Sequence, residues 1–429
     1  MTAAGADVRA WLAWLHGLSH ELAPLFARLD ANEERQTERI LQSFTHAGLA
    51  QHHFNPTTGY GYNDSGRETL EAVYAEVFES EAALVRQQIV SGTQAIHLCL
   101  RALVDPGREI LFAGMPYDTL RVATGLAGEA PGNLRERGIM LRVVETGGRP
   151  QKEALAAAVG ENTALIYLQR SGGYAERPAW SAREIGEIAS ALKGRDDAPL
   201  IFVDNCYGEF VEESEPTKYG VDLMAGSLIK NPGGGLAPCG GYIVGRRYLV
   251  ERVAAQLYAP GVGGEAGPSL VSPRLFFQGL FQAPHLVGQA LRGAILCARA
   301  FGELGFAADP AWNAPRADIV QRITFGRSET LLAFARSLQG ASPVDSRARV
   351  EPGLLPGYGD PVIMAGGTFI QGSSSELSLD GPLRPPYTGY WQGGLSFTHA
   401  RLALAHALSV ICADRPVPKV GTHQEMNPG

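Results

Sequence analysis

Two residues, a lysine in a glycine-rich turn and an aspartate after an apolar run, have the types and spacing that could do chemistry. Lys230 lies in Gly226-Ser-Leu-Ile-Lys-Asn-Pro-Gly-Gly-Gly, and Asp204 follows the strand-like run Leu200-Ile-Phe-Val earlier in the chain. A lysine amine can condense with an aldehyde, and a buried carboxylate can keep a pyridine nitrogen protonated. This pair is typical of enzymes that use pyridoxal 5'-phosphate, and we predict that cofactor.

The phosphate of such a cofactor needs hydrogen-bond donors, which the chain offers in two places. Ser91, Gly92 and Thr93 lie between a strand-like run and the start of a helix, where backbone amides and the helix dipole favour an anion. Ser227, just before the lysine, adds a hydroxyl. Tyr117 follows the next predicted strand, where its ring would stack on the pyridine; an ordinary core tyrosine is the alternative.

The elements that must position these residues alternate between strands and helices from about residue 70 to 260, which is typical of a mostly parallel sheet covered by helices. Beyond about residue 270 a long helix, short strands and a closing helix predict a smaller α+β domain. We expect an N-terminal helical segment and arm (1–66), a large cofactor-binding domain (67–270) and a small domain (271–429). The predicted strands are 84–90, 109–112, 139–144, 164–168, 200–203, 240–245, 318–325, 361–365, 376–379 and 388–395, and the predicted helices include 67–78, 95–103, 275–304 and 399–411.

Composition excludes several classes of protein. A formal net charge of −7 with dispersed cations argues against nucleic acid as a partner. The apolar residues from Trp11 to Leu29 recur at helical spacing but are interrupted by charged residues, so we expect one amphipathic packing helix and no membrane span. Five widely separated cysteines indicate a reduced, cytoplasmic protein without structural zinc. Cys206 is interpreted as core packing.

Several long motifs resemble the bacterial aluminium-resistance, or methionine gamma-lyase-like, proteins over roughly residues 55 to 410. The resemblance implies an α/β fold of the aspartate-aminotransferase type (fold type I), pyridoxal phosphate, and a homodimer or homotetramer whose active sites are shared between subunits. It also implies that Lys230 is the Schiff-base lysine, Asp204 the partner of the pyridine nitrogen, and Tyr117 the stacking ring. The motifs are Asp204-Asn-Cys-Tyr-Gly-Glu-Phe-Val-Glu, Gly226-Ser-Leu-Ile-Lys-Asn-Pro-Gly-Gly-Gly, Phe277-Gln-Gly-Leu-Phe-Gln-Ala-Pro-His, Gly372-Ser-Ser-Ser-Glu-Leu-Ser and Arg384-Pro-Pro-Tyr.

Two departures from the pattern of the better-studied gamma-lyases concern the cofactor phosphate and the substrate carboxylate. Their Tyr-x-Arg motif, which reaches the phosphate of the adjacent subunit, is replaced by a stretch that offers Tyr60 or Tyr62, with Arg67 as a compensating cation. Their carboxylate-binding arginine before Leu-Ser is replaced by Gln392. We predict that Arg384 binds the substrate carboxylate instead, since a guanidinium pairs with a carboxylate through two hydrogen bonds; a surface arginine is the alternative.

The resemblance and the residues together predict a lyase that removes the Cα proton of an amino acid and eliminates a group at Cγ. Lys230 is expected to shuttle protons and Tyr117 to protonate the leaving group. A sulfur leaving group would give a 2-oxo acid, ammonia and a thiol, whereas another leaving group would give an unsaturated amino acid. An aminotransferase and a low-turnover cofactor-binding stress-resistance protein are the alternatives.

Overall fold

The computed structural model describes residues 4–145, 147–149, 151–194, 198–354 and 358–419. The N-terminal segment forms two helices, α1 (Ala4–Glu21) and α2 (Ala23–His46), where the apolar spacing predicts one. The single-helix prediction is wrong because Pro24, in the first turn of α2, has no N–H with which to continue α1. Trp11 and Leu15 of α1 are buried in the C-terminal core, which confirms the packing role of this segment.

A seven-stranded sheet forms the larger of the two sheets, in the order β1-β7-β6-β5-β4-β2-β3. Only β7 runs antiparallel to its neighbours, so the sheet is mostly parallel, as predicted. The strands are β1 (Ala82–Arg86), β2 (Glu109–Ala113), β3 (Met140–Val144), β4 (Thr163–Gln169), β5 (Leu200–Asp204), β6 (Leu223–Ser227) and β7 (Gly241–Gly245).

Helices cover both faces of this sheet. The central strands are buried on both sides, which explains why β5 reads as a continuous apolar run and not as an alternating one. The helices are α3 (Ser65–Val77), α4 (Gly92–Leu103), α5 (Asp118–Thr124), α6 (Lys152–Ala158), α7 (Ala182–Lys193) and α8 (Arg247–Leu257).

The C-terminal part contains the long helix α9 (Arg274–Glu303) and an antiparallel sheet of five strands in the order β10-β11-β12-β9-β8. Its apolar side packs against helices of this part and against α1. The elements are β8 (Ala307–Asp309), β9 (Gln321–Thr324), α10 (Ser328–Gly340), β10 (Val362–Ala365), β11 (Ser378–Pro382), β12 (Thr388–Gln392) and α11 (Phe397–Ile411).

Some predicted strand boundaries are wrong because side chains bind the backbone near the strand ends. The strand predicted from residue 318 begins at Gln321, since Asp318 accepts a hydrogen bond from the amide of Val320. The strand predicted from residue 376 begins at Ser378, because Glu376 accepts hydrogen bonds from two loop amides. The strand predicted over 84–90 ends at Arg86, and β6 was not predicted because its sequence, Leu-Met-Ala-Gly-Ser, has little strand propensity.

No helix in the described part of the chain is long and apolar enough to cross a membrane. All five cysteines are free. Among the described residues, no group of three or more His, Cys, Asp and Glu side chains is placed to hold a metal ion. The three predicted domain ranges stay a prediction, although the two sheets draw their strands from residues 82–245 and 307–392.

Candidate active site

The candidate site lies at the carboxyl edge of the large sheet, where ligands bind in open α/β folds. Gln169, Asp204 and Ser227 are the last residues of the adjacent strands β4, β5 and β6, and Lys230 follows β6 in the next turn. All four line one cavity of about 640 Å³ that extends to the small antiparallel sheet. The fold therefore brings together residues that are far apart in sequence.

Glycines determine the shape of the turn that presents Lys230. A Cβ on Gly233 would lie 1.6 Å from the carbonyl oxygen of Leu228, and Gly234 has a φ of +54°. The lysine side chain points into the cavity, where its Nζ lies 3.8 Å from the centre of the Tyr207 ring. The turn is therefore built to hold one amine over an aromatic face.

Asp204 is 3% exposed and its carboxylate is held by two donors. The phenol of Tyr167 donates to Oδ2 at 3.1 Å, and the amide of Cys206 donates to Oδ1 at 3.1 Å. Burial raises the pKa of Asp204, and the ammonium of Lys230 and these hydrogen bonds counteract part of that effect. A cationic nitrogen placed beside this carboxylate would offset its burial.

The charge state of Lys230 follows from the same surroundings. Burial alone lowers the pKa of the lysine, but Cys206, Tyr207 and Asp204 outweigh it, so the pKa lies well above its ordinary value. No described carboxylate lies within ion-pair distance of Nζ. An aldehyde that enters the cavity can therefore reach the amine without displacing a salt bridge.

The start of α4 forms a concave surface suited to a phosphate. Ser91 caps the helix by accepting a hydrogen bond from the amide of Gln94 at 3.1 Å. A Cβ on Gly92 would lie 3.2 Å from Cβ of Ser227 and 3.4 Å from Sγ of Cys206, so any side chain there would fill the surface. The amides of this helix end and the hydroxyl of Ser227 are available to an anion.

Tyr117 connects the phosphate surface to the rest of the cavity. Its phenol donates to the Thr93 hydroxyl at 2.9 Å, and its amide donates to Oε1 of Gln169 at 3.0 Å. Burial raises the pKa of Tyr117 well above its ordinary value, so the phenol is protonated at neutral pH. One cavity therefore contains a lysine amine, a buried carboxylate, a concave surface at Gly92 and an aromatic ring. These groups fit the aldehyde, pyridine nitrogen, phosphate and ring of pyridoxal phosphate.

Of the four remaining predicted residues, only Arg384 lines the cavity. Tyr60 and Tyr62 are 74% and 56% exposed, stack on each other with ring centres 5.5 Å apart, and do not line the cavity. Arg67 is buried and donates to the carbonyl oxygens of Gly61 and Gly267, so it holds the arm instead of reaching a ligand. Arg384 lines the cavity but pairs with Asp360 at 2.9 Å near the solvent.

A cluster of buried polar side chains lies next to the end of β5 and holds the backbone there in place. The Arg170 guanidinium donates to Asn205 at 2.7 Å and to Glu215 at 3.0 Å, next to the strand end that carries the aspartate. Glu209 accepts a hydrogen bond from the phenol of Tyr242 at 2.7 Å, and burial raises the pKa of Glu209 to about 8. Such a cluster is costly to break, which fixes the backbone below the cavity.

Sequence reasoning missed the residues that the small sheet contributes to the cavity. Asp380 and Gln392 come from β11 and β12, and Tyr174 follows β4. Tyr207, the ring under the lysine amine, has a φ of +73°, which is unusual for a bulky residue. Gln392 was noted only for what it replaces, and Tyr207 only as part of a motif that carries the family resemblance. Nothing local in the sequence marks Asp380 or Tyr174.

Comparison with known proteins gives relatives over nearly the whole chain. The uncharacterised Bacillus subtilis protein YnbB is 47% identical over 392 residues, which is 90% of this chain and 93% of that protein. A crystal structure from Listeria monocytogenes, of a protein involved in aluminium resistance, has a TM-score of 0.91 and 44% identity and covers 93% of this chain and 99% of its own. A second crystal structure is that of a carbon-sulfur lyase involved in aluminium resistance from Clostridium novyi. It has a TM-score of 0.88 and 41% identity, and it covers 93% of this chain and 95% of its own.

The sequence profile of the family described as methionine gamma-lyase matches residues 13–412. The cofactor implied by this family is pyridoxal 5'-phosphate, as the lysine and aspartate predict. The resemblance inferred from the sequence motifs is confirmed, and so is the fold type I architecture. The chain belongs to the methionine gamma-lyase family of pyridoxal-phosphate-dependent lyases.

Proposed function

We propose that this lyase acts on an amino acid by removing its Cα proton and eliminating a substituent from Cγ. The observation that carries the proposal is that Lys230, Asp204, Thr93 and Tyr117 line one cavity in a chain of this family. When bound, pyridoxal phosphate supplies an electron sink for the pair of electrons left on Cα. The protein's own residues would bind, orient and move protons.

Asp204 and the α4 start would hold the cofactor at its two ends. The carboxylate of Asp204, fixed by Tyr167 and the Cys206 amide, would keep the pyridine nitrogen protonated. The amides after Ser91 and the hydroxyl of Ser227 would bind the phosphate. These assignments rest on the buried carboxylate of Asp204 and on the donors of Ser91, Gly92, Thr93 and Ser227, all of which line the same cavity.

Lys230 would remove the Cα proton of the substrate and then a proton from Cβ. Its amine faces the cavity and lies over the Tyr207 ring. Tyr117 would donate a proton to the departing group, because its raised pKa keeps the phenol protonated at neutral pH. A base and an acid would then act from different walls of one cavity.

Arg384 would bind the substrate carboxylate by exchanging its partner Asp360 for the substrate. Its side chain is 55% exposed, so little burial opposes the exchange. Tyr60 and Tyr62 would reach the cofactor of a neighbouring subunit, because their exposed, stacked rings do not line the cavity of their own chain. We therefore propose a homodimer or homotetramer with shared active sites. We also propose that the enzyme is cytoplasmic.

A substrate screen with product identification tests the proposal. The purified enzyme is incubated with amino acids that carry a leaving group at Cβ or Cγ, and ammonia, 2-oxo acids and unsaturated amino acids are measured. Elimination at Cγ predicts 2-oxobutyrate and ammonia from a substrate with the carbon skeleton of homocysteine, or an unsaturated amino acid if the product is released before it hydrolyses. Pyruvate from cysteine-like substrates alone would contradict Cγ chemistry.

The control variant in this screen is Lys230→Ala, which keeps the cavity but removes the amine. Transfer of the amino group to an added 2-oxo acid, without release of ammonia, would identify an aminotransferase. Absence of turnover and of Cα deuterium exchange with every amino acid would identify a low-turnover binding protein. Either result would overturn the proposed elimination.

A further inference from the structure

The wall of the cavity opposite the phosphate surface is formed by the small antiparallel sheet and the segment that precedes it. Asp380 of β11 and Gln392 of β12 face the cavity from neighbouring strands. Ser373 also lines this wall, is 2% exposed, and has an Oγ with no hydrogen-bond partner among the described residues. The wall therefore presents the Asp380 carboxylate to whatever occupies the cavity.

The carboxylate of Asp380 is held in place by uncharged donors. Nε2 of Gln392 donates to its Oδ2 at 2.9 Å, and the phenol of Tyr174 also hydrogen-bonds to it. A carboxylate offers about four acceptor positions, so positions remain for a third donor. Asp380 is therefore oriented by the fold and still able to bind a ligand.

None of the described cations that line the cavity forms an ion pair with Asp380. Arg121 pairs with Asp118, and Arg384 pairs with Asp360. The ammonium of Lys230 lowers the pKa of both Asp204 and Asp380, but among the described residues it forms an ion pair with neither. In the described part of the chain, Asp380 forms no ion pair.

This lack of a partner has an energetic consequence. Burial raises the pKa of Asp380 to about 6, which still leaves the group mainly ionised at neutral pH. A partly buried carboxylate without an ion-pair partner is unfavourable, and a ligand that brings one is bound more tightly for that reason.

We propose that Asp380 selects the substrate, and that the amino acid eliminated by this enzyme carries an ammonium group on its side chain. The inference rests on the proposed function and names its substrate class. The ammonium has three donors, of which the Asp380 carboxylate accepts at least one. A thioether amino acid with a second amino group falls in this class, whereas a purely apolar side chain does not.

Binding of paired probes to the holoenzyme tests the inference without turnover. The probes are L-2,4-diaminobutyrate, L-ornithine and L-lysine, each matched with its uncharged isostere, L-norvaline, L-norleucine or L-2-aminoheptanoate. Dissociation constants are measured by calorimetry and by the change in visible absorbance of the bound cofactor. We expect at least one ammonium probe to bind roughly tenfold or more tightly than its isostere. This difference in affinity corresponds to one charge-assisted hydrogen bond.

Two variants assign that preference to a residue. Asp380→Asn keeps the shape and removes the charge, so the preference should vanish while the uncharged probes bind as before. Ser378→Ala, a change on the same strand that also lines the cavity, should keep the preference. Thermal melting confirms that each variant is folded.

The outcomes separate this inference from the proposed function. If the wild-type enzyme binds both members of each pair equally, the inference is wrong whatever the variants do. Equal loss of turnover on all substrates in Asp380→Asn, with the preference intact, would show a proton-transfer role and would also overturn it. If no amino acid binds at all, the proposed function itself fails.

Discussion

Replacing Asp204 with asparagine removes one negative charge and almost no volume, so it separates the charge of this residue from its packing. The carboxylate is 3% exposed and accepts hydrogen bonds from Tyr167 and from the Cys206 amide, both at 3.1 Å. The asparagine oxygen can accept from the amide, and its NH₂ group can donate to the phenol oxygen. We therefore expect Asp204→Asn to fold with a melting temperature close to that of the wild type.

The expected losses are in cofactor affinity and in carbanion chemistry. A hydrogen bond to a charged group contributes about 1.5 to 3 kcal/mol, which corresponds to roughly 10- to 150-fold in affinity. Asp204→Asn should bind pyridoxal phosphate more weakly by about that factor. It should also exchange the Cα proton of a bound amino acid more slowly, because the pyridine nitrogen is no longer held protonated. Absorbance titration gives the affinity, and NMR in deuterated buffer gives the exchange rate.

Asp222 provides a matched control, since it is also 3% exposed and binds the other end of the same strand. Its carboxylate accepts a hydrogen bond from the Ile201 amide at 2.8 Å and pairs with Arg246 at 2.8 Å. Asp222→Asn should therefore lower stability by about 1 kcal/mol and leave cofactor affinity unchanged. Wild-type affinity and exchange rate in Asp204→Asn would refute the reasoning.

Three further substitutions test other parts of the site. Gly92→Ala places a Cβ 3.2 Å from Cβ of Ser227 in the phosphate surface and should weaken cofactor binding roughly tenfold. The control Gly160→Ala, whose Cβ has nothing within 4 Å, should leave cofactor affinity unchanged. Unchanged cofactor titrations of Gly92→Ala would contradict the phosphate assignment. Arg384→Ala should raise the KM for amino acids about tenfold or more in steady-state assays, and an unchanged KM would make it a surface arginine. Glu209 has a folded pKa of about 8 against an ordinary 4.5, so its stabilising effect is complete below pH 4.5 and is lost as pH rises through 8. Glu209→Gln should therefore lose less stability than the wild type between pH 5 and pH 8 in urea unfolding, and parallel curves would contradict the raised pKa.

The parts of the site that could be predicted from the sequence are those whose signal is local. Asp204 ends a continuous apolar run, and Lys230 sits among glycines that its turn requires, so both stand out within a few residues. Ser91 and Gly92 stand out in the same way, because a strand, a small-residue turn and a helix follow one another. The structure places all four around one cavity.

The other half of the cavity could not be predicted because its residues meet only through the fold. Asp380 lies on a short strand whose start was misplaced, and its partner Gln392 is on the neighbouring strand. Tyr207 is brought beneath the lysine amine by a left-handed backbone conformation that its residue type does not favour. Sequence periodicity carries no information on such contacts between separate elements.

The most direct test of the account is to locate the covalent attachment of the cofactor. The sequence has only five lysines, Lys152, Lys193, Lys218, Lys230 and Lys419, and among the described cavity residues Lys230 is the one lysine. Borohydride reduction of the holoenzyme, followed by proteolysis and mass spectrometry, should place a pyridoxyl phosphate group on Lys230 alone, and Lys230→Ala should carry none. A label on any other lysine, or an unlabelled Lys230 in active enzyme, would contradict the account.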